Sequence, residues 1–203
     1  VWHVSNAGNA EVFTFNFNYS DADVLQATAE LFNNVCDVIP DDVTVLFENL
    51  WWPGLRLIDF NLVERFFASL NKTNVGIMLD TGHLMNTNRQ LTSEAEGIGY
   101  VCRTVQALGS LKRLIKGVHL SCSLSGSYQQ SFEKIVPLQV DYEALLTHIG
   151  KIDRHQPFTV PEAEAILEAV QPQYLVHELF YDNLTDLGGK LRQQQKACGL
   201  RSR

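Results

Sequence analysis

Short apolar segments alternate with longer amphipathic segments along the 203-residue chain. Five nearly continuous apolar and β-branched runs, at 1–4, 44–48, 75–80, 117–120 and 174–178, are predicted strands. Runs without polar alternation are typical of parallel strands that are covered on both faces. Between them, apolar residues recur at helical spacing, and the pattern predicts helices at about 20–38, 62–70, 98–111, 145–149, 166–170 and 186–197. No linker or low-complexity tract divides the chain, so residues 1–203 are expected to form one α/β domain.

A side chain able to bind a metal lies at or near the carboxyl end of every predicted strand: His3, Glu48, Asp80, His119 and Glu178. In a (β/α)8 TIM barrel these ends converge on one mouth, whereas in an open sheet they would lie along a line. The glycine-rich loops of open-sheet nucleotide binders are absent from the sequence. The sequence therefore predicts a TIM barrel.

Five strands are fewer than the eight of a closed barrel. On this interpretation three βα units, roughly 90–130 residues, are missing before Val1, and the chain supplies strands 4–8 as a single partial TIM-barrel domain. The sequence is then either a fragment, or a neighbouring molecule closes the sheet. An oligomer that covers the open edge is accordingly expected, because an unpaired strand edge promotes aggregation.

The segment Asp80-Thr-Gly-His83 follows the third strand, and Gly82 permits a sharp turn that would aim Asp80 and His83 into the same cavity. A helix-capping aspartate with a solvated histidine is the alternative. His177 is expected to point away from the mouth if Glu178 points into it, since alternate strand residues face opposite sides. Two glutamates, one aspartate and one histidine from four successive strands suit a divalent ion such as Zn²⁺ or Mn²⁺; these are Glu48, Asp80, His119 and Glu178.

The order of Glu48, Asp80-x-x-His83, His119 and Glu178 resembles that of the xylose isomerase-like TIM barrels. This superfamily holds sugar isomerases and epimerases beside the endonuclease IV family, and the central ligands do not separate these branches. The segment Asp153-Arg154-His155 further resembles the element that holds the third zinc of endonuclease IV. In departure from the family, the third strand that would carry a further first-zinc histidine is absent, and the interval from 119 to 153 is longer than usual.

The resemblance implies up to three zinc ions. It places the first ion on His3 and a bridging Glu48, the second on Glu48, Asp80, His119 and Glu178, and the third on His83, Asp153 and His155. The implied function is a hydrolase that cleaves a phosphodiester, such as abasic-site DNA, with a zinc-activated water and with Glu48 and Glu178 as catalytic residues. The first alternative is a sugar isomerase or epimerase, in which one Mn²⁺ or Mg²⁺ ion is bound and Glu48 and Glu178 act as an acid/base pair. The second alternative is a non-catalytic barrel remnant.

The amino-acid composition limits the classes of substrate and partner that are expected. Sixteen basic and 23 acidic residues give a net charge of −7, which argues against broad binding to DNA unless metal ions neutralise the phosphates. The expected substrate is a small sugar-like or phosphodiester compound. Scattered cysteines, no visible leader and no apolar run long enough to span a membrane favour a cytoplasmic protein. Candidate substrate-binding residues are Trp51 and Trp52, which alternatively cover the barrel rim, and Arg154, which alternatively holds Asp153.

Overall fold

A computed structural model describes residues 1–200, and its strands form one parallel sheet in the order β1-β2-β3-β4-β5. The parallel α/β architecture predicted from the apolar runs is confirmed. The strands are β1 (Trp2–His3), β2 (Val45–Glu48), β3 (Val75–Asp80), β4 (Ile115–Leu120) and β5 (Tyr174–His177). Sequence order equals spatial order, so each connection returns the chain to the next position in the sheet.

Helical segments connect successive strands. Within residues 1–200 the α-helices are α1 (Asn9–Thr14), α2 (Asp21–Val35), α3 (Phe60–Ala68), α4 (Thr81–Asn86), α5 (Glu94–Ala107), α6 (Gly126–Ser131), α7 (Tyr142–Ile152), α8 (Glu164–Val170) and α9 (Leu184–Ala197). Polar caps begin the long helices: Ser20 and Asp23 form a capping box on α2, and Ser93 caps α5. The three six-residue helices α1, α4 and α6 were not predicted, because one and a half turns are too short for an apolar stripe.

Alternate strand residues divide between the two faces of the sheet. One face packs against the helices and forms the main core, to which Phe47, Leu79 and Val118 contribute fully buried side chains. Phe47 illustrates this packing, since its ring lies 5.1 Å from the rings of both Phe32 in α2 and Phe66 in α3. The other face carries Glu48, Asp80 and His119, so the helices hold the sheet in place from behind while these side chains remain available in front.

The prediction that all strands are covered on both faces is wrong for β5. Tyr174 and Val176 are 55% and 43% exposed. Within residues 1–200 only β4 pairs with β5, and the face on which these two side chains lie is only partly covered. Strand β1 likewise has β2 as its single neighbour in the described part of the chain. No helix among residues 1–200 is long and apolar enough to cross a membrane.

Candidate metal centre

Strand stagger brings the acidic and imidazole side chains together. His3 lies opposite Glu48, and Asp80 lies opposite His119. Glu48 itself pairs with Met78, two residues before Asp80, so the carboxyl ends advance by two residues at this step. A shift of two keeps side chains on the same face of the sheet, and such a stagger accompanies the strand tilt of barrels. Sequence positions far apart therefore meet in front of the sheet.

The first group comprises four residues whose potential ligand atoms all lie within 4.8 Å of one another: Glu48, Asp80, His119 and Glu178. His119 Nδ1 lies 3.2 Å from Glu48 Oε1 and 2.8 Å from Glu178 Oε2. Three carboxylate oxygens in this group, Glu48 Oε2, Asp80 Oδ2 and Glu178 Oε2, are buried without a hydrogen-bond partner. Glu178 Oε2 is close to the His119 nitrogen but lacks the alignment of a hydrogen bond. Buried carboxylate oxygens left unpaired in this way fit a divalent cation.

The second group comprises His83, Asp153 and His155, all buried. Asp153 Oδ2 lies 3.1 Å from His83 Nε2 and 2.6 Å from His155 Nε2. The opposite ring nitrogens face backbone carbonyls: His83 Nδ1 lies 2.9 Å from the oxygen of Asn49, and His155 Nδ1 lies 3.2 Å from the oxygen of Glu178. Because a carbonyl only accepts, Nδ1 carries the proton in each ring. Both Nε2 atoms are thereby directed at Asp153, in the arrangement typical of histidines that bind a metal.

The two groups adjoin each other. His83 Nδ1 lies 3.5 Å from Glu48 Oε1 and 3.7 Å from Asp80 Oδ1. His3 Nε2 lies 3.3 Å from Glu48 Oε1, although the His3 side chain is 62% exposed. The eight residues predicted as ligands thus occupy one continuous region, with Glu48 touching three histidines: His3, His83 and His119.

The acidic residues of the region respond differently to burial. Burial favours a higher pKa for Glu48, but hydrogen bonds and positive charge from His119 and His3 outweigh it and lower the pKa to about 2. Burial is likewise outweighed at Asp153, where bonds to His155 and His83 hold the pKa well below its usual range. Asp80 behaves in the opposite way: complete burial, reinforced by the charge of Asp153, raises its pKa to about 7 even though His83 is close.

The histidines take up the compensating positive charge. Burial favours a lower pKa for His83, but the charges of Asp80 and Asp153 raise it to about 10. His119 is also raised to about 10, since Glu178 and Glu48 outweigh its burial. These histidines therefore hold protons at neutral pH when no metal is bound. A divalent cation would supply the same positive charge, so the donor set and its electrostatics fit a metal centre.

Comparison with family models matches residues 4–197 to the xylose isomerase-like TIM barrel family. The chain belongs to this family. The match covers strands β2 to β5 and both ligand groups, and the resemblance seen in the sequence is confirmed. Members of this family are generally enzymes and often bind metals. In the same comparisons no curated protein and no solved structure matched the chain.

Two asparagines shape the centre in this family member, and no sequence pattern pointed to them. Asn49 joins the ends of β2 and β3: its Oδ1 accepts from the backbone N–H of Asp80 at 2.9 Å, and its Nδ2 donates to the Asp80 carbonyl at 3.0 Å. The Asn49 carbonyl also accepts from His83. Asn86, at the end of α4, directs its Nδ2 at Asp153 Oδ1 from 3.5 Å. The only available signal was their position, directly after Glu48 and three residues after His83.

Asp80 and His83 are organised by α4. Asp80 Oδ1 accepts from the backbone N–H of His83 at 2.6 Å, so that Asp80 caps this helix while its Oδ2 remains unpaired in the first ligand group. The alternative of a capping aspartate is therefore correct, but that of a solvated histidine is wrong, because His83 is buried. The sharp turn predicted at Gly82 is not found, because Gly82 lies within α4 and its φ is not positive. Gly82 instead allows close packing, since a Cβ there would lie 2.6 Å from Ser121 Oγ.

The remaining candidates lie at the edges of the centre. Trp51 is buried with its ring centre 5.1 Å from that of His83, and it packs against Trp52 at 4.7 Å. The indole N–H groups of both tryptophans are buried without a partner. The Arg154 side chain is exposed and donates to the Leu124 carbonyl at 3.3 Å, lining a cavity of about 600 Å³. Because Asp153 and His155 are buried on either side of it in sequence, Arg154 turns away from both ligands.

His177 and Cys122 belong to neither ligand group. His177 Nδ1 accepts from Gln194 Nε2 at 2.9 Å, on the side of the sheet that faces α9. Burial raises the pKa of the Cys122 thiol to about 12, which makes it a poor nucleophile or ligand at neutral pH.

Proposed function

We propose that this family member is a divalent-metal-dependent hydrolase that resembles endonuclease IV and cleaves a phosphodiester. The supporting observation is the second ligand group, His83, Asp153 and His155, which adjoins the first. One group would suffice for a single ion, whereas two groups in contact suit a centre with several zinc ions, as the endonuclease IV branch implies. Part of this proposal is that the five strands correspond to strands 4–8 of an eight-stranded barrel, within one partial domain.

A bound divalent cation would neutralise phosphate oxygens and lower the pKa of a water molecule towards neutrality. Glu48 stays ionised at neutral pH because its pKa lies at about 2, so it serves as a ligand between sites and not as a proton donor. Glu178 is also ionised: its pKa is lowered because His119 outweighs the effect of burial. Its side chain is 36% exposed although Oε2 is buried, so Glu178 is the carboxylate that solvent reaches, and it would orient a water and accept its proton.

The substrate is expected to be a small phosphodiester or an abasic site in DNA. The net charge of −7 opposes DNA binding, so attraction of the phosphate would depend on the cations in the centre. Trp51 and Trp52 are proposed to flank the substrate beside His83. Arg154 is proposed to meet a phosphate further from the centre, since its side chain faces the adjoining cavity.

A sugar isomerase or epimerase is the second candidate. His119 Nδ1 lies between Glu48 Oε1 and Glu178 Oε2, so two carboxylates flank one point, as an acid/base pair around a single Mn²⁺ or Mg²⁺ would require. This mechanism needs His83 to bind a substrate hydroxyl. Both nitrogens of His83 are already engaged, with Asn49 and Asp153, which weighs against the isomerase.

The test combines metal content with activity. The purified chain, loaded with Zn²⁺ or Mn²⁺, is assayed on bis-p-nitrophenyl phosphate, on a duplex with an abasic site, and on aldose and ketose sugars. Phosphodiester cleavage with more than one zinc per chain is expected. Glu178→Gln should abolish turnover. The matched control Glu162→Gln, at an exposed carboxylate that belongs to neither ligand group, should keep it. Sugar conversion with one Mn²⁺ would replace the hydrolase with the isomerase, and absence of metal binding would leave a non-catalytic barrel.

A further inference from the structure

A buried polar network stands behind the second ligand group. Asp153 uses Oδ2 for both histidines, which leaves Oδ1 to the amide of Asn86. Asn86 is itself held by Ser123, Ser125 and Gln129, all buried, and these residues belong to the long interval between β4 and α7. The interval that differs from the family in length thus reaches the back of the ligand group.

The hydrogen bonds determine which way the Asn86 amide faces. Gln129 Nε2 can only donate, and it lies 3.0 Å from Ser125 Oγ. Ser125 therefore directs its single proton at Asn86 Oδ1, 2.7 Å away. With Oδ1 committed to this bond, Nδ2 is the atom that faces Asp153 Oδ1. An amide turned the other way would place two acceptor oxygens against each other.

The backbone adds a second constraint. Gln129 Nε2 also donates to the Asn86 carbonyl at 3.0 Å, fixing the end of α4 to α6. Since His83 and Asn86 are three residues apart on α4, one short helix presents both a ligand and the group that orients the facing ligand. Among the described residues, none of the hydrogen bonds of Asn86 reaches Glu48, His119 or Glu178 in the first group.

We propose that Asn86 is a positioning residue for the second metal site, which orients Asp153 through the network of Ser125 and Gln129 and makes no hydrogen bond to the first ligand group. This inference rests on the metal centre put forward under the proposed function. Groups that orient a ligand from behind commonly change metal affinity by about 10–100-fold when they are removed. The network therefore makes occupancy of the His83–Asp153–His155 site separable from that of the other site.

The test titrates Zn²⁺ and Co²⁺ into the metal-free protein against a chromophoric chelator and records the Co²⁺ absorption spectrum. Asn86→Leu removes the amide, and Gln130→Ala is the matched control, because Gln130 anchors the same helix α6 to the Arg89 carbonyl outside the network. His155→Asn identifies the signal of the second site. In Asn86→Leu the metal affinity of one class of sites should fall by about 10–100-fold, and the Co²⁺ absorption that His155→Asn also removes should be lost. The affinity of the other class, and both affinities in Gln130→Ala, should be unchanged.

The outcomes separate this inference from the proposed function. Equal weakening of both classes, or no weakening, would overturn the positioning role while leaving a metal enzyme in place. Failure of the unaltered protein to bind either ion would overturn the proposed function itself, and the inference with it. If Asn86→Leu does not fold, Ser125→Ala serves instead: it removes the proton that fixes the amide, and it should weaken the same class of sites by a smaller factor. An unchanged Ser125→Ala would then overturn the positioning role.

Discussion

Metal binding should expel protons from this chain, and their number follows from the structure. His83, His119 and His155 all have a raised pKa, because nearby carboxylates outweigh the effect of burial. In the metal-free protein His83 and His119, each with a pKa of about 10, carry protons at pH 7. A histidine ligand must be neutral and a carboxylate ligand ionised. Filling both ligand groups is therefore expected to release at least two protons per chain, from His83 and His119, and part of a third from Asp80, whose pKa is about 7.

The energetic consequence is large. With a pKa of about 10 for His83, deprotonation at pH 7 costs about 4 kcal/mol, at ~1.4 kcal/mol for each pH unit. This cost opposes binding and disappears as the pH approaches the pKa. Metal affinity should therefore rise with pH from 7 towards 10. The sign is fixed by the raised pKa, since groups that lose protons on binding favour the complex at higher pH.

Calorimetric titration with Zn²⁺ in two buffers of different ionisation enthalpy measures the proton count directly. His119→Asn should lower the count by about one, because the pKa of His119 is about 10. The control His177→Gln alters a histidine that burial keeps neutral and that lies outside both ligand groups, so its count should match that of the unaltered protein. A pH-independent affinity without proton release would refute the reasoning, because it would mean that these histidines are neutral or do not bind the ion.

Three further predictions concern the scaffold. Gly82→Ala should destabilise the protein by about 1–3 kcal/mol, because the added Cβ would lie 2.6 Å from Ser121 Oγ. Gly189→Ala, where the added Cβ meets open space, should stabilise α9 by up to ~1 kcal/mol. Urea unfolding compares the two variants, and equal effects would contradict the steric argument. Phe47→Ala should cost about 3–5 kcal/mol, since this fully buried ring packs between α2 and α3, and a midpoint shifted only slightly in thermal unfolding would show that the core lies elsewhere. In metal-free protein prepared with a chelator, the free energy of unfolding should fall as the pH rises towards the raised pKa of His83, because the folded state binds a proton that the unfolded state loses above about pH 6.5. Denaturant titrations at several alkaline pH values measure this fall, which should be smaller in the metal-loaded protein.

The sequence was sufficient to predict the sheet and the main side chains that gather in front of it. Continuous apolar runs bounded by polar residues identify buried parallel strands, and a charged residue at the end of such a run is conspicuous against its apolar neighbours. Glu48, Asp80 and His119 are of this kind, and their placement on one face follows from the two-residue period of a strand. Their proximity required one further assumption, that the strands are staggered, and the register supplies this stagger.

The sequence was insufficient for the groups that orient the ligands. Asn49 and Asn86 act through one or two hydrogen bonds each, and asparagine is common in ordinary turns, so nothing in the pattern distinguished them. The six-residue helix α4 has no apolar periodicity of its own. The sequence showed only that the interval after β4 is long, whereas in the structure Ser123 and Ser125 are buried and contact Asn86. Only the three-dimensional contact between this loop and α4 shows their role.

Backbone geometry gives independent support for a centre that serves function more than stability. His155 has a φ of 42°, in the left-handed region that residues other than glycine adopt at a cost. This conformation keeps the contact between His155 Nδ1 and the Glu178 carbonyl oxygen, and it directs His155 Nε2 at Asp153. Nearby, the unpaired oxygens of Glu48 and Asp80 are buried at further cost. A fold optimised for stability alone would not leave two carboxylate oxygens buried and unpaired beside each other, whereas a bound cation would pair with both of them.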